Sequence, residues 1–556
     1  MTKPTASVAS ITFSDGQSID LGPNEKLMLV GPNNSGKSLT LREIVSSASS
    51  QNGDFQRNLA VKGMTIAKTG DSQTFKAFLE QNGLYKDQTY SIQNWRVGEG
   101  FVPQWETQQF LWQVAPGFIK NVVAEARLGI TKMQQSISPG DQKSVPQHVL
   151  YDDQDLMERI SGLFRKAFGE DLFFDFRGGK SLPIHVGERP EPEAGEDRVH
   201  DSYVAKVRSF PLLHEQGDGV KSYAGILFEA VATERDITLI DEPEAFLHPP
   251  QMRRLGETLA AEVKGQLLVA THSSDIMRGF LTGTSGSVRI VRMQRRGNEN
   301  HVTEASVDTI RTLWQQPDLR YSNALEGIFH EQTIICEDDS DCRLFNSVAD
   351  HMQRTNGTLW RDTAYVPAGG KHGIHRIASV LRQIGVPVVG VYDIDFLSEV
   401  TLVKSAVEGF GGDWSVIQPL WNRVNAAVTG GITPLTNSQI KNKIIRTLQE
   451  AGADDLPKGD LIELMKRGNP WAEVKKFGKA AIPNGQAQTD YANLVSELGR
   501  LGIAVVPVGE IENFCPEVGL HGPKFVTKLL QEISLDDARL GDLRGFVEAV
   551  HTLDTA

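Results

Sequence analysis

Residues 26–38 read KLMLVGPNNSGKS, and this stretch decides the fold of the first half of the chain. Residues 26–30 are an apolar run of strand length that leads straight into residues 31–38, whose spacing is G-x-x-x-x-G-K-[ST]. Residues 38–48, SLTLREIVSSA, then place apolar side chains at helical spacing. A chance glycine-rich turn would lack the strand before and the helix after. Gly31 and Gly36 let backbone N–H groups curl around phosphates, with Asn33, Asn34 and Ser35 completing the loop. Lys37 offers a cation to the outer phosphates, and the Ser38 hydroxyl a ligand to Mg²⁺.

A phosphate loop of this type needs an acid on a neighbouring strand. Residues 237–249, ITLIDEPEAFLHP, supply one: Asp241 ends an apolar strand and faces Mg²⁺, while Glu242 is placed to polarise the attacking water. The bland alternative is a pair of acids capping the next helix. His272 follows at the end of the strand in LLVATHSSD, where it would sense the terminal phosphate. The helix expected over 222–232, the strand at 237–241 and the strand at 266–272 alternate as parallel-sheet proteins do. Short strands are expected at 7–13 and 17–22, and a hairpin over 289–306. Between about 51 and 204 no catalytic motif is found. The amphipathic segments 121–130 and 155–168 and the Pro- and acid-rich loop 187–197 read as an insertion.

A second alternating unit begins near Gln332. ICEDDSDCRLF puts Glu337 at a strand end with Asp338, Asp339 and Asp341 at the start of a helix. GVYDIDF ends a later strand in Asp393 and Asp395, whose alternate positions point the same way. PVGEIENF adds Glu510 and Glu512. In a parallel sheet these strand ends share one crevice, and clustered carboxylates suit Mg²⁺ or Mn²⁺. Any one cluster could be a solvated helix cap; three in order argue for a metal centre able to cleave phosphodiesters.

A formal charge of −13 argues against coating nucleic acid through overall charge, so contact needs a local patch. The largely helical insertion over 396–502 carries Lys441, Lys443, Arg446, Lys466, Arg467, Lys475, Lys476 and Lys479, which would hold a phosphate backbone or form a solvated face. Three scattered cysteines, Cys336, Cys342 and Cys515, give neither a disulfide framework nor a Cys-based zinc site. No apolar run reaches ~18 residues, and the start MTKPTASVAS lacks the features of a signal peptide. A cytoplasmic protein without a membrane span is expected.

The order GPNNSGKS, DEPEAFLHP, ATHSSD resembles ABC-type ATPase heads of the branch shared with DNA-repair and SMC-like proteins. That resemblance gives Lys37, Ser38, Asp241, Glu242 and His272 the Walker A, Walker B and switch-histidine roles. It also implies a head-to-head dimer with composite ATP sites. An LSGGQ signature is absent; the nearest candidate is residues 217–222, with Gly217 and Gly219 at a helix start. The strand-end Glu337 with Asp341 four residues on, followed by Asp393-x-Asp395, resembles the Toprim domain, although Asp338 stands where that family has Gly. An ABC head followed by Toprim is the layout of the overcoming lysogenization defect (OLD) family of ATP-dependent nucleases, matched here over about 25–50, 205–280 and 332–530.

The resemblance implies Glu337, Asp341, Asp393 and Asp395 as metal ligands, to which the third acidic strand end adds Glu512, with Glu337, Asp393 and Lys524 expected to be catalytic. Lys371 matches the family's Gly-Gly-Lys turn. The fold class expected is α/β. A head with a helical insertion would span 1–325, a Toprim domain with its own insertion 326–530, and a tail 531–556. The expected function is an ATP- and Mg²⁺- or Mn²⁺-dependent endonuclease acting on DNA ahead of RNA, in antiphage defence, with an accessory partner possible in principle. Alternatives are a DNA-binding or scaffolding switch without nuclease activity, and an RNase.

Overall fold

The apolar run ending at Val30 is buried because it lies in the middle of a parallel sheet. The computed structural model describes residues 3–138, 141–297, 299–316, 323–431, 435–452, 456–466 and 469–553. The chain divides into two compact units, residues 1–320 and 321–556.

The first unit opens with β1 (Thr5–Phe13) and β2 (Ser18–Asp20), then β3 (Lys26–Val30), α1 (Lys37–Ser49) and β4 (Val61–Thr69). It continues through β5 (Ile119–Val122), α2 (Ala124–Ile130), α3 (Asp218–Leu227), β6 (Ile237–Asp241), β7 (Gln266–Ala270), α4 (Ser274–Gly283) and the hairpin β8 (Arg289–Arg296) and β9 (Glu299–Glu304). The central sheet has the order β9-β8-β3-β7-β6-β5, with every neighbouring pair parallel except the hairpin. Residues 237–240 and 266–270 are wholly buried, which is why they read as continuous apolar runs rather than alternating ones.

The stretch 51–204 is not confined to an insertion. β4 pairs antiparallel with β1, and β5 pairs parallel with β6 as the edge of the central sheet. Glu43 of α1 draws the chain back, its carboxylate accepting from the backbone N–H groups of Leu59, Ala60 and Val61 at 2.7–2.9 Å. The expected helix over 121–130 begins only at Ala124, because Asn121 and Val122 belong to β5.

The second unit contains β10 (Gln332–Cys336), α5 (Asp339–Asn356), β11 (Thr363–Pro367), α6 (Lys371–Gln383) and β12 (Val388–Tyr392). Helices Val400–Gly409, Trp414–Gly431, Asn437–Glu450, Lys458–Lys466, α7 (Pro470–Phe477) and Gln486–Arg500 follow, as the expected insertion. β13 (Ile503–Val505), α8 (Pro523–Glu532) and α9 (Gly541–Thr552) close the unit. Its parallel sheet has the order β11-β10-β12-β13. The segment expected as a tail is part of this core: α9 buries Leu543, Val547 and Val550 beside Phe345 and Leu529. Among the described residues no helix is long and apolar enough to cross a membrane.

Gln266 locks the β1 sheet onto the central one. Its buried amide donates to Val8 O (2.7 Å) and Gly22 O (2.8 Å) and accepts from Val8 N (2.9 Å). Replacing it with Leu strands these backbone groups, a loss of about 2 kcal/mol that should make β1 amides exchange hydrogen roughly 30-fold faster. Unchanged exchange over residues 5–13 in Gln266→Leu would show that the amide is not what holds the two sheets.

Candidate functional site

In the first unit, the loop from β3 to α1 turns through Gly31 (φ 135°), Asn34 (φ 61°) and Gly36 (φ 92°). A Cβ at Gly31 would collide with the Met293 carbonyl of β8, so only glycine lets the loop leave the sheet there. The buried Lys37 ammonium folds back onto its own loop, donating to Gly31 O and Pro32 O, each at 2.8 Å. Burial lowers its pKa to about 8. Ser38 Oγ donates to Asp241 Oδ1 at 2.8 Å, bringing together the two side chains expected to share Mg²⁺. Burial raises the Asp241 pKa, and the Ser38 hydrogen bond partly opposes it. The curled N–H loop at a helix start, a lysine held by two carbonyls and the Ser35 hydroxyl, and a hydroxyl–carboxylate pair fit a nucleotide phosphate with its cation.

Glu242 has a left-handed backbone (φ 47°), which costs a non-glycine residue about 1–2 kcal/mol. Three hydrogen bonds hold it: its N–H donates to Ala270 O (2.9 Å), and its carbonyl accepts from Arg127 Nη2 (2.7 Å) and Ala245 N (3.1 Å). Arg127, on α2, is fully buried, its pKa lowered to about 10 by that burial. His272 does not stand alone. Its backbone N–H (2.8 Å) and ring Nδ1 (3.1 Å) both meet the buried Glu244, which also accepts from Thr271 Oγ1 at 2.9 Å. Arg127 and Glu244 were missed in the sequence; the only signal was a lone arginine among apolar residues and a second acid two places after Glu242.

Gly217 caps the start of α3, with open space where a Cβ would lie. Gly219 abuts the Phe246 carbonyl, and the buried Ser222 hydroxyl donates to Ala245 O at 3.2 Å. This segment therefore rests on the loop after Glu242 of its own chain, with Gly217 and Asp218 exposed.

In the second unit, Glu337 follows β10, Asp393 and Asp395 follow β12, and Glu510 and Glu512 lie beyond β13, all at the carboxyl edge of one parallel sheet. Lys475 of α7 reaches into them, its Nζ 3.6 Å from Asp393 Oδ2, 3.3 Å from Asp395 Oδ2 and 3.6 Å from Glu510 Oε2. Lys371 at the start of α6 lies 3.7 Å from Asp395 and 2.6 Å from Glu399. Glu510, Glu512 and His521 place one ligand atom each within 4.8 Å of one another. Glu512 Oε1 also accepts from Gly522 N at 2.6 Å.

Burial raises the pKa of Glu337, Asp393 and Glu510, and repulsion from neighbouring carboxylates adds to it; Lys475 opposes it. Asp341, paired with Asp338 in a capping box, is pushed up to about 7 by burial and then by Asp338, with Glu337 and Glu512 contributing. Glu337 Oε1 is buried with no hydrogen-bond partner among the described residues. Hard oxygen donors, mutually repelling and incompletely satisfied, fit a divalent cation.

Lys524 sits exposed on the first turn of α8, with no ion pair among the described residues; the lysines at the carboxylates are Lys371 and Lys475, the latter expected in a basic patch or on a solvated helix face. Lys441, Lys443 and Arg446 are exposed on the helix Asn437–Glu450. Arg467 and the Lys466 side chain lie outside the described residues.

Residues 150–278, which include Asp241, Glu242 and His272, match the family model described as "AAA domain, putative AbiEii toxin, Type IV TA system". Residues 328–395, which include Glu337, Asp341, Asp393 and Asp395, match "Overcoming lysogenization defect protein-like, TOPRIM domain". The chain thus carries an AAA-type ATPase domain followed by an OLD-like Toprim domain. No curated protein matches it. Similar solved structures include an Smc head bound to the C-winged helix domain of ScpA, at 12% identity and TM-score 0.34, covering 54% of this chain and 97% of that one. The Smc head with an extended coiled coil from Pyrococcus furiosus has 12% identity and TM-score 0.35, covering 56% and 98%. The SMC head domain from Thermotoga maritima has 11% identity and TM-score 0.29, covering 55% and 100%.

The raised acids make a pH prediction. An acid with a higher pKa in the folded chain binds more protons folded than unfolded, so stability falls as pH rises between the two values, for Asp341 from 3.8 to about 7. In chelator, the second unit should melt lower at about pH 7.5 than at about pH 5, and Asp341→Asn should narrow that gap. A gap as wide in Asp341→Asn as in the unchanged protein would contradict the assignment.

Proposed function

We propose that the chain is an ATP-dependent, divalent-metal-dependent endonuclease of the OLD type. It cuts nucleic acid, DNA ahead of RNA, in the cytoplasm, as a defence against phage, alone or with an accessory partner. The convergence of Glu337, Asp393, Asp395 and Glu510 from three neighbouring parallel strands carries this reading. Nothing in folding stability asks for so many carboxylates at one edge, since their proximity costs free energy.

Glu337, Asp341, Asp393, Asp395 and Glu512 would hold the cation, which supplies an activated water and stabilises the leaving oxygen. Asp393 and Asp395 set the direction of that charge, because both follow a strand whose five residues are buried. Lys371, held by Glu399, keeps a positive group at the rim, suited to a phosphate of the substrate backbone. In the first unit, Lys37 would exchange its two carbonyl partners for nucleotide phosphates, Ser38 and Asp241 would hold Mg²⁺, and Glu242 would orient the water. Two heads would pair around ATP, with the exposed Gly217 and Asp218 reaching the partner's nucleotide.

Plasmid nicking with Mg²⁺ or Mn²⁺, run beside phosphate release, tests both halves. Asp393→Asn keeps the side-chain shape but removes a charged ligand, so nicking should be lost while ATP hydrolysis stays within about twofold. Nicking at the unchanged rate in Asp393→Asn would refute the nuclease reading. Glu242→Gln should still bind ATP but hydrolyse it at least ~10-fold more slowly; wild-type turnover would remove Glu242 from the role.

A further inference from the structure

Lys475 lies 80 residues from Asp395 in sequence, yet its ammonium stands between carboxylates of three residues. The backbone that carries it is fixed from several sides. Trp471 and Val474 bury α7 in the second unit, and Trp471 Nε1 donates to Asn425 Oδ1 at 2.9 Å. One amide, Asn513 Nδ2, donates to Lys475 O (3.2 Å), Lys476 O (3.2 Å) and Val508 O (3.0 Å). Lys479 N donates to Pro507 O at 2.8 Å. Gly509 (φ 110°) allows this approach, since a Cβ there would run into the Lys475 carbonyl. The loop that delivers Glu510 and the helix that delivers Lys475 are thus built as one piece.

A divalent cation takes carboxylate oxygens at about 2.0–2.6 Å. An ammonium at 3.3–3.6 Å from oxygens of Asp393, Asp395 and Glu510 fills the space between those same oxygens. We propose that Lys475 is a tethered competitor for the cation at this site, an internal ammonium that must swing away from Asp393 and Asp395 before they can share a divalent ion. With α7 pinned, only the flexible four-carbon stem can make that movement. The ammonium thereby offsets part of the repulsion among these carboxylates without metal and closes the site to weakly held ions. This inference rests on the metal-dependent reading above.

The test is calorimetric titration of MnCl₂ into nucleotide-free full-length protein, as wild type, Lys475→Met, Lys475→Gln and Lys475→Arg, with Asp393→Asn identifying the heat that belongs to this site. Lys475→Met and Lys475→Gln should bind Mn²⁺ about 10-fold more tightly or better, and Lys475→Arg as weakly as wild type. Without metal the two neutral variants should melt lower than wild type, and Mn²⁺ should restore them. Unchanged or weaker Mn²⁺ affinity in whichever neutral variant folds overturns the proposal, as does tightening in Lys475→Arg. If neither neutral variant folds even with Mn²⁺ present, Lys475 is a structural counter-ion and the competitor role fails. No Mn²⁺ heat in any form, wild type included, overturns the metal reading itself and this inference with it.

Discussion

Burying carboxylates at the ends of apolar parallel strands is the constraint on which both units depend. A strand buried on both faces delivers its last residue to a protected edge, where a charge is poorly solvated. Asp241 follows such a strand in one unit, and Glu337 and Asp393 in the other, and burial raises the pKa of all three. Something must compensate each of them. The Ser38 hydroxyl does so for Asp241, and Lys475 does so for Asp393 and its neighbours.

Two lysines, Lys37 buried and Lys475 half-buried, show how partner chemistry decides the outcome. Lys37 makes its hydrogen bonds to two carbonyls and the Ser35 hydroxyl, with no carboxylate in contact among the described residues, so burial outweighs the more distant attraction of Glu244, Glu242 and Asp241 and its pKa falls to about 8. Lys475 is only partly buried and faces three carboxylates within 3.6 Å, and its pKa is raised well above the usual lysine value. The first is therefore held by neutral partners, which suits the phosphate role proposed for it. The second is bound tightly enough to stand in for a cation. Residue type alone does not separate these roles; the groups brought around each amine do.

What was legible in the sequence is what lies in continuous segments. GPNNSGKS, the Asp241–Glu242 pair and the Asp393-x-Asp395 strand end are each set by local backbone, and the structure brings Ser38 to Asp241 and Asp393 beside Asp395 as those motifs imply. The rest depends on tertiary placement. Lys475 reads as one more cation on a basic helix until α7 is docked against the Glu510 loop. Arg127 and Glu244 acquire their roles only when β5 lies beside β6 and the loop after Glu242 folds back onto Thr271. The four residues of β5, with inner positions only half buried, carry no period that distinguishes them from the helix that follows. The helix α9 is short and amphipathic, and nothing local says that its apolar face closes the second core.

The backbone at Glu242 in the first unit shows why such distant residues matter. The carboxylate of Glu242 must project from a turn that its own backbone disfavours, and glycine, which would relieve the strain, would remove the carboxylate. The turn is instead held by its surroundings: Ala270 O extends the ladder by one bond, and Arg127 and Ala245 N donate to the Glu242 carbonyl. Arg127 in turn is buried among the acids of this edge, Glu244, Glu242 and Asp241, which keep its charge tolerable there. The same acids that need cations thus fix the arginine that fixes one of them. Position and charge at this edge are a single solution, and it draws on β5 and α2, inside the very stretch that carries no motif of its own.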